Sequence, residues 1–163
     1  MARGRAAARR SARKTGKDAG EPIKFGPLDQ WVGFNLRMAQ ESSFEAFSHL
    51  SKEIGENPGR FATLTLIGRN PGISQTALSN ASGRDKSSMT PVLEDLVRRG
   101  LVARRRTDRD RRAYRLSLTA EGERALASLT KCAQRHERNL DRIIGKDRAR
   151  LIDILKRIAV EIG

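Results

Sequence analysis

The chain has 163 residues, of which 37% are hydrophobic and 32% are charged, and its formal net charge is +14. This composition is typical of a soluble globular protein and excludes the fibrous classes. No run of eighteen apolar residues occurs, so we expect no membrane span and no membrane partner. The single cysteine, Cys132, cannot form an internal disulfide, which favours a cytoplasmic location.

The positive charge is concentrated in two short segments. Residues 1–20 carry a net +6 and residues 98–115 a net +7, so the other 125 residues carry only +1. Solubility alone does not require this clustering, whereas a surface that binds a polyanion does. Residues 1–24 show no apolar periodicity and are expected to form a disordered basic arm, either a nonspecific DNA contact or a passive tail. Their Arg-rich composition also resembles a transit peptide.

Residues 25–56 are expected to form an outer helix that contributes to dimerisation. Apolar residues recur at helical spacing from Leu28 to Leu50, which predicts one long amphipathic helix. Gly55 is expected to close this helix, because glycine accepts the left-handed conformation beyond a helix end. The apolar positions are Trp31, Phe34, Met38, Phe44 and Phe47.

Residues 57–119 contain three further predicted helices and a strand pair. The first begins at Asn57-Pro58, with asparagine as N-cap and proline at the first helical position. The second runs from Ser74, a good N-cap, to Gly83, and the third covers about residues 85–99. The apolar period then changes to two around Leu116, which predicts a strand paired with residues 101–106.

Residues 120–163 are expected to form two more helices. Thr119 is a plausible N-cap, and Gly145 interrupts the helical pattern. One chain cannot easily bury the apolar faces of such long outer helices, so we expect a homodimer. The last helix presents its apolar face through Leu151, Ile154, Leu155, Ile158 and Ile162.

Two short helices joined by a glycine-containing turn, followed by a basic two-stranded ribbon, are the elements of a winged helix-turn-helix. Four stretches follow at specific spacing: Asp85-Lys86-Ser87-Ser88-Met89-Thr90, Arg99-Gly100-Leu101-Val102, Arg109-Asp110-Arg111-Arg112 and Leu116-Ser117-Leu118-Thr119. Through these stretches the chain resembles the MarR (multiple antibiotic resistance regulator) family of bacterial regulators. The resemblance covers about residues 28–162. The expected fold is mainly α, a winged helix-turn-helix with long N- and C-terminal dimerisation helices and a two-stranded β-wing.

Candidate DNA contacts lie on the predicted recognition helix, on the start of the helix before it, and on the wing. Small polar residues near a helix N-terminus reach base edges in the major groove, and wing guanidinium groups reach the backbone and the minor groove. The resemblance implies that Asp110 orients the wing and that Arg112 enters the minor groove. Pro91, where the family often has a basic residue, is expected to kink the recognition helix. The candidates are Lys86, Ser87, Ser88, Thr90, Gln75, Thr76, Arg104, Arg106, Arg109, Arg111 and Arg112.

An effector site is a further hypothesis, based on Trp31, Phe34 and Phe44 close in sequence to Arg37. A flat apolar surface beside a fixed cation suits an aromatic carboxylate. The alternative is that these rings pack the core and the dimer. The resemblance implies an effector that is a small aromatic acid or its coenzyme A thioester and that releases the DNA.

Enzyme, metal and cofactor functions are not indicated. His49 and His136 are too few for a zinc site, and no catalytic motif is present. An oxidant-sensing role for Cys132 is the alternative to a structural one. We therefore predict a cytoplasmic homodimeric transcriptional repressor that binds a palindromic operator in double-stranded DNA. An architectural DNA-binding protein without an effector is the alternative, and a protein-interaction module would leave the arginine-rich wing unexplained.

Overall fold

The computed structural model describes residues 23–106 and 114–162, so the predicted arm, most of it within residues 1–22, and the wing tip lie outside the described residues. The chain divides into two units, Met1–Arg37 and Met38–Gly163, with the boundary inside the first helix. Six α-helices and three strands are described. They are α1 (Val32–Leu50), α2 (Pro58–Arg69), β1 (Ile73–Ser74), α3 (Gln75–Ser82), α4 (Lys86–Arg98), β2 (Val102–Arg106), β3 (Tyr114–Leu118), α5 (Ala120–Ile144) and α6 (Arg148–Glu161).

Three helices begin at the N-caps that the sequence predicts. The side chain of Asn57 accepts a hydrogen bond from the backbone N–H of Arg60 at 3.0 Å, which starts α2. Ser74 starts α3 and Thr119 starts α5 in the same way, with hydrogen bonds of 3.1 Å and 3.0 Å. Each cap satisfies a backbone donor that has no partner inside its helix, so these boundaries follow from local chemistry.

The first helix differs from the prediction at both ends. Residues Gly26–Gln30 form a 3₁₀ turn, and α1 begins only at Val32, so Trp31 precedes the helix. Proline lies at the start of that turn, and the side chain of Asn35 closes it by donating to the carbonyl of Asp29 at 3.0 Å. At the other end α1 stops at Leu50. Gly55, with φ of 71°, ends the next short 3₁₀ turn instead of the helix.

The wing sheet contains the two predicted strands, β2 and β3, and a third strand, β1, that the sequence does not predict. Its order is β1-β3-β2, and both pairings are antiparallel. Ile73 lies opposite Leu116, on the side of β3 away from β2. A two-residue strand cannot show an alternating pattern, so the sequence carries no signal for β1. This extra strand anchors the base of the wing to the segment that leads into α3.

One hydrophobic core joins the C-terminal part of α1 with α2, α3, α4, the wing and α5. α4 runs unbroken through Pro91, which is exposed, while the opposite face of the helix is buried. Burial of that face fixes which side of α4 points outwards, and therefore which side chains can meet a ligand. The core residues are Phe47, Leu64, Ile67, Leu78, Met89, Leu93, Leu96, Leu101, Val102, Leu116 and Leu129.

Candidate nucleic-acid interface

The N-terminus of α4 is organised by Asp85. Its carboxylate accepts hydrogen bonds from the backbone N–H and the hydroxyl of Ser88, both at 2.8 Å, and from the hydroxyl of Ser87. The Ser87 hydroxyl, then the Ser88 N–H and hydroxyl, hold the pKa of Asp85 well below its usual range. An ionised carboxylate can only accept, so both hydroxyls donate their hydrogens to it and keep their lone pairs outward.

Thr90 is held by two hydrogen bonds instead of being fully presented to solvent. Its hydroxyl donates to the carbonyl of Lys86 at 2.8 Å and accepts from the side-chain amide of Gln75 at 2.9 Å. The second bond links the first turn of α3 to the first turns of α4. Lys86 and Thr76 are exposed on the same two helices. Gln75 and Thr90 therefore form a hydrogen-bonded pair, whereas Lys86 and Thr76 remain accessible to a ligand.

The exposed face of the wing carries paired positive charges. Arg105 on β2 lies directly opposite Arg115 on β3, and like charges placed this way destabilise a sheet. Arg115 donates to the carbonyl of Gly72 at 3.0 Å, which fixes its direction. On the opposite face of the hairpin, near its tip, the guanidinium carbon of Arg106 lies 5.9 Å from the centre of the Tyr114 ring, its partner in the ladder. Such an arrangement suits a surface whose counterion is a polyanion.

Arg104 occupies the other face of β2 together with Val102. It pairs with the buried Leu116, and the side chain of Arg104 is half-buried. Its Nε and one terminal nitrogen are buried without a hydrogen-bond partner among the described residues. The structure thus places this predicted DNA contact at the inner base of the wing, whereas Arg106, two residues further along the same face of β2, is exposed.

Two arginines of the basic segment are paired with acids that the sequence prediction did not connect to them. Arg98 binds Asp95, and Arg99 lies with one terminal nitrogen 2.6 Å from an oxygen of Glu56. The net +7 of residues 98–115 therefore overstates the charge that is available to a polyanion. The Asp95-to-Arg98 and Asp95-to-Arg99 spacings were visible as helical i, i+3 and i, i+4 pairs, whereas the Glu56 partner had no sequence signal.

The remaining predicted site residues divide into two groups. The wing-tip residues Arg109, Asp110, Arg111 and Arg112 lie outside the described residues. Of the predicted effector residues, Trp31, Phe34 and Arg37 belong to the first unit, where the Phe34 ring packs on Phe25 with centroids 5.7 Å apart. Phe44 belongs to the second unit and is 43% exposed.

The helix contact between α1 and α5, within the second unit, contains polar groups that the sequence analysis did not single out as a site. The Nε2 atom of His136 lies 2.9 Å from the hydroxyl oxygen of Ser43, and its ring stands edge-on to Phe47. The thiol of Cys132 donates to the carbonyl of Leu50 at 3.2 Å. Helical spacing places Cys132 and His136 on one face of α5, which is the only sequence signal for this contact.

Among the residues that the structure describes, the geometry offers neither a membrane-spanning helix nor a metal site. Across residues 23–106 and 114–162, no helix combines the length and the apolar surface that a bilayer crossing requires. In those same ranges, no three side chains of His, Cys, Asp or Glu lie close enough together to hold a metal ion.

Comparison with known proteins agrees with this geometry. The model of the MarR family matches residues 57–114. A protein proposed as the transcriptional regulatory protein for the hcr operon of Thauera aromatica is 36% identical over 138 residues, which is 83% of each chain.

Among solved structures, the transcriptional repressor CouR bound to a 23-mer DNA duplex is similar with a TM-score of 0.79 and 35% identity, over 85% of this chain and 99% of that chain. CouR bound to p-coumaroyl-CoA gives a TM-score of 0.79 and 34% identity, over 86% and 99% of the two chains. These relatives are regulators and not enzymes. The chain belongs to the MarR family, and it is a DNA-binding transcriptional regulator of the winged helix-turn-helix type.

Proposed function

We propose that this protein is a repressor that acts as a homodimer on a palindromic operator in the bacterial cytoplasm. We further propose that a small aromatic acid or its coenzyme A thioester releases it from the DNA. The observation that carries this proposal is the likeness to CouR, which spans nearly the whole of that chain in both its DNA-bound and its p-coumaroyl-CoA-bound forms.

The proposed dimer is supported by the apolar surface of α6. This helix has no buried residue, although its sequence is strongly amphipathic. Ile154 is 39% exposed, Leu155 40% and Ile162 81%. Single exposed apolar residues are common, whereas a stripe along one helix marks an interaction surface. A second copy of the chain is the occupant that two-fold operator symmetry requires.

The proposed DNA contact is supported by the charge and geometry of the second unit. The elements that enter or flank the major groove in winged helices carry suitable groups here. On α4 these are the exposed Lys86 and the outward lone pairs of Ser87 and Ser88. On the wing they are the exposed Arg105 and Arg106. For the wing tip we propose, from the family resemblance, that Asp110 orients Arg112 towards the minor groove. The basic arm is proposed to add nonspecific affinity only.

The test begins with selection of binding sites from random duplexes, followed by footprinting on the selected site. A repressor of this kind protects one palindrome with two half-sites a helical turn apart. An architectural protein without an effector protects no discrete site, and that result would contradict the proposal.

The effector is tested by adding benzoates, hydroxycinnamates and their coenzyme A thioesters to the protein–operator complex. Release of fluorescent operator is expected for an aromatic member of this panel. Arg37→Ala is expected to weaken that release, whereas Arg124→Ala, which removes an exposed arginine of α5 paired with Glu121, leaves it unchanged. Equal release from both variants would show that Arg37 is not part of the effector site.

A further inference from the structure

A buried carboxylate lies between the end of α1 and the end of α4. The side chain of Glu56 is only 1% exposed, and Arg99 approaches it to 2.6 Å while Arg60 lies 3.8 Å away. Asp95 completes the group, with Arg60 at 2.6 Å and Arg99 at 3.7 Å. We call these four residues the charge cluster. A buried carboxylate is costly unless it is paired, so removing one partner has large effects.

The charge cluster ties three separate segments together. Glu56 lies in the connection between α1 and α2, Arg60 in the first turn of α2, and Asp95 and Arg99 at the end of α4. Burial acts to raise the pKa of Asp95, but the charge of Arg60, the hydrogen bond from Arg98 and the charges of Arg98 and Arg99 together lower it below the usual value. The C-terminal end of α4 is therefore held by ion pairs to Glu56, just before α2, and to Arg60 in the first turn of α2.

The backbone of Glu56 is held in turn by the end of α1. The hydroxyl of Ser51, which is fully buried, lies 2.7 Å from the carbonyl oxygen of Glu56 and 3.0 Å from that of Phe47. Phe47 contacts both the His136 ring on α5 and the Phe61 ring on α2, with centroids 5.9 Å and 5.6 Å apart. Through Phe47 and Ser51, the α1–α5 contact is thus joined by direct contacts to the backbone that carries the Glu56 carboxylate.

We propose that Glu56 is a positioning residue for DNA recognition, which sets the orientation of α4 and transmits changes at the α1–α5 contact to it. Gln75 and Thr90 hold one end of α4, and the charge cluster holds the other. Ion pairs of this kind have discrete alternative partners, which makes them suited to switching between two arrangements. The inference rests on the proposed function, because it describes how effector binding would change the orientation of the recognition helix, α4.

The first experiment replaces Glu56 with glutamine, which keeps the shape and removes the charge. The ratio of operator affinity to affinity for a scrambled duplex is expected to fall by about tenfold, since a misplaced α4 loses base contacts and keeps phosphate contacts. Hydrogen exchange of the segment 92–99 is expected to accelerate. Glu53→Gln is the matched control, because it removes the same charge from an exposed position three residues earlier and leaves both readouts unchanged.

The second experiment tests transmission with a double-mutant cycle. Ser43→Ala removes the hydroxyl beside His136 and is expected to alter hydrogen exchange of the segment 92–99 in the otherwise wild-type protein. In the Glu56→Gln background the same change is expected to have no further effect. Residues without shared partners normally act additively, so this non-additivity is the signature of coupling through Glu56.

Unchanged site discrimination and unchanged exchange in Glu56→Gln would overturn the proposal, as would additive effects in the cycle. If Glu56→Gln does not fold, Arg99→Lys takes its place, because it retains the charge and loses the guanidinium geometry. Wild-type discrimination and exchange in Arg99→Lys would then overturn the proposal in the same way. A wild-type protein without operator preference contradicts the proposed function instead, while the exchange data still test whether Glu56 stabilises the end of α4.

Discussion

The side-chain amide of Gln75 donates a hydrogen bond of 2.9 Å to the hydroxyl of Thr90, joining the start of α3 to α4. The hydroxyl hydrogen of Thr90 is already committed to the carbonyl of Lys86, so its oxygen is left to accept. Both residues are half-buried. The pair therefore bridges the two helices of the helix-turn-helix.

This bond predicts that Gln75 and Thr90 act as a unit. Thr90→Val removes the acceptor at nearly constant shape, and we expect it to weaken operator binding by about 1 kcal/mol. Gln75→Ala in the Thr90→Val background should add little, as measured by fluorescence anisotropy, and Thr90→Ser should restore binding. A full additional loss on Gln75→Ala in that background would show that Gln75 contacts DNA independently of Thr90.

The salt dependence of DNA binding should separate the arginines of the basic segment. Arg105 is exposed and faces another arginine, whereas Arg98 is paired with Asp95. Arg105→Gln should therefore reduce the slope of log affinity against log salt concentration by about 0.9, the value for one phosphate contact. Arg98→Gln removes the same charge and should leave the slope unchanged. Equal slopes for the two variants would contradict this division.

The Asp85 cap predicts a specific dependence of stability on pH. Because the folded state holds the pKa of Asp85 below its unfolded value of 3.8, the carboxylate stabilises the fold above pH 3.8. That stabilisation is lost only as the pH falls through the lower folded-state pKa. Urea unfolding should show Asp85→Ala less stable than wild type from pH 7 to 3.8, with the gap closing at more acidic pH.

Asp85→Asn is the control for that experiment, since asparagine caps a helix about as well as aspartate and does not titrate. We expect it to remain close to wild type at neutral pH and to show no loss from this site in acid. A gap between wild type and Asp85→Ala that closes well above pH 3.8 would show that the carboxylate is not held by Ser87 and Ser88 as described.

The start of α5 packs on the base of the wing at Gly122. A Cβ atom there would lie 2.0 Å from the backbone carbonyl oxygen of Leu101, which cannot move without displacing β2. Gly122→Ala should therefore destabilise the protein by at least about 3 kcal/mol in urea unfolding. At Gly68 the added Cβ would meet only the side-chain tips of Leu118 and Leu126, at 2.9 Å and 3.1 Å.

Gly68→Ala is accordingly the matched comparison. Leucine tips can rotate, and alanine is the better helix former, so its net effect should stay within about 1 kcal/mol. Similar stabilities for the two variants would mean that α5 and the wing do not approach as closely as the structure shows.

The apolar face of α6 predicts the outcome of a charge substitution. Ile154→Asp places a carboxylate in the proposed dimer interface and should shift the protein towards monomer or aggregate in analytical ultracentrifugation. Lys156→Asp introduces the same group on the opposite face of the same helix and should sediment as wild type. A stable dimer of the Ile154→Asp variant would show that the dimer interface does not include this face of α6.

The sequence by itself determined the features that depend on neighbours within one or two helical turns. Asn57, Ser74 and Thr119 start their helices as expected because a cap bonds a donor only three residues ahead. The alternation around Leu116 likewise located a strand, since side chains of successive strand residues point to opposite faces.

Only the tertiary structure decided which charges and hydroxyls remain available. Glu56 neutralises Arg99 and Gln75 engages Thr90, and each pair joins residues that are far apart along the chain. β1 is similar, because two residues become a strand only when β3 lies beside them. Periodicity and caps act over a few residues, whereas ion pairs and sheet edges depend on how whole elements pack, and no local pattern encodes that partner choice.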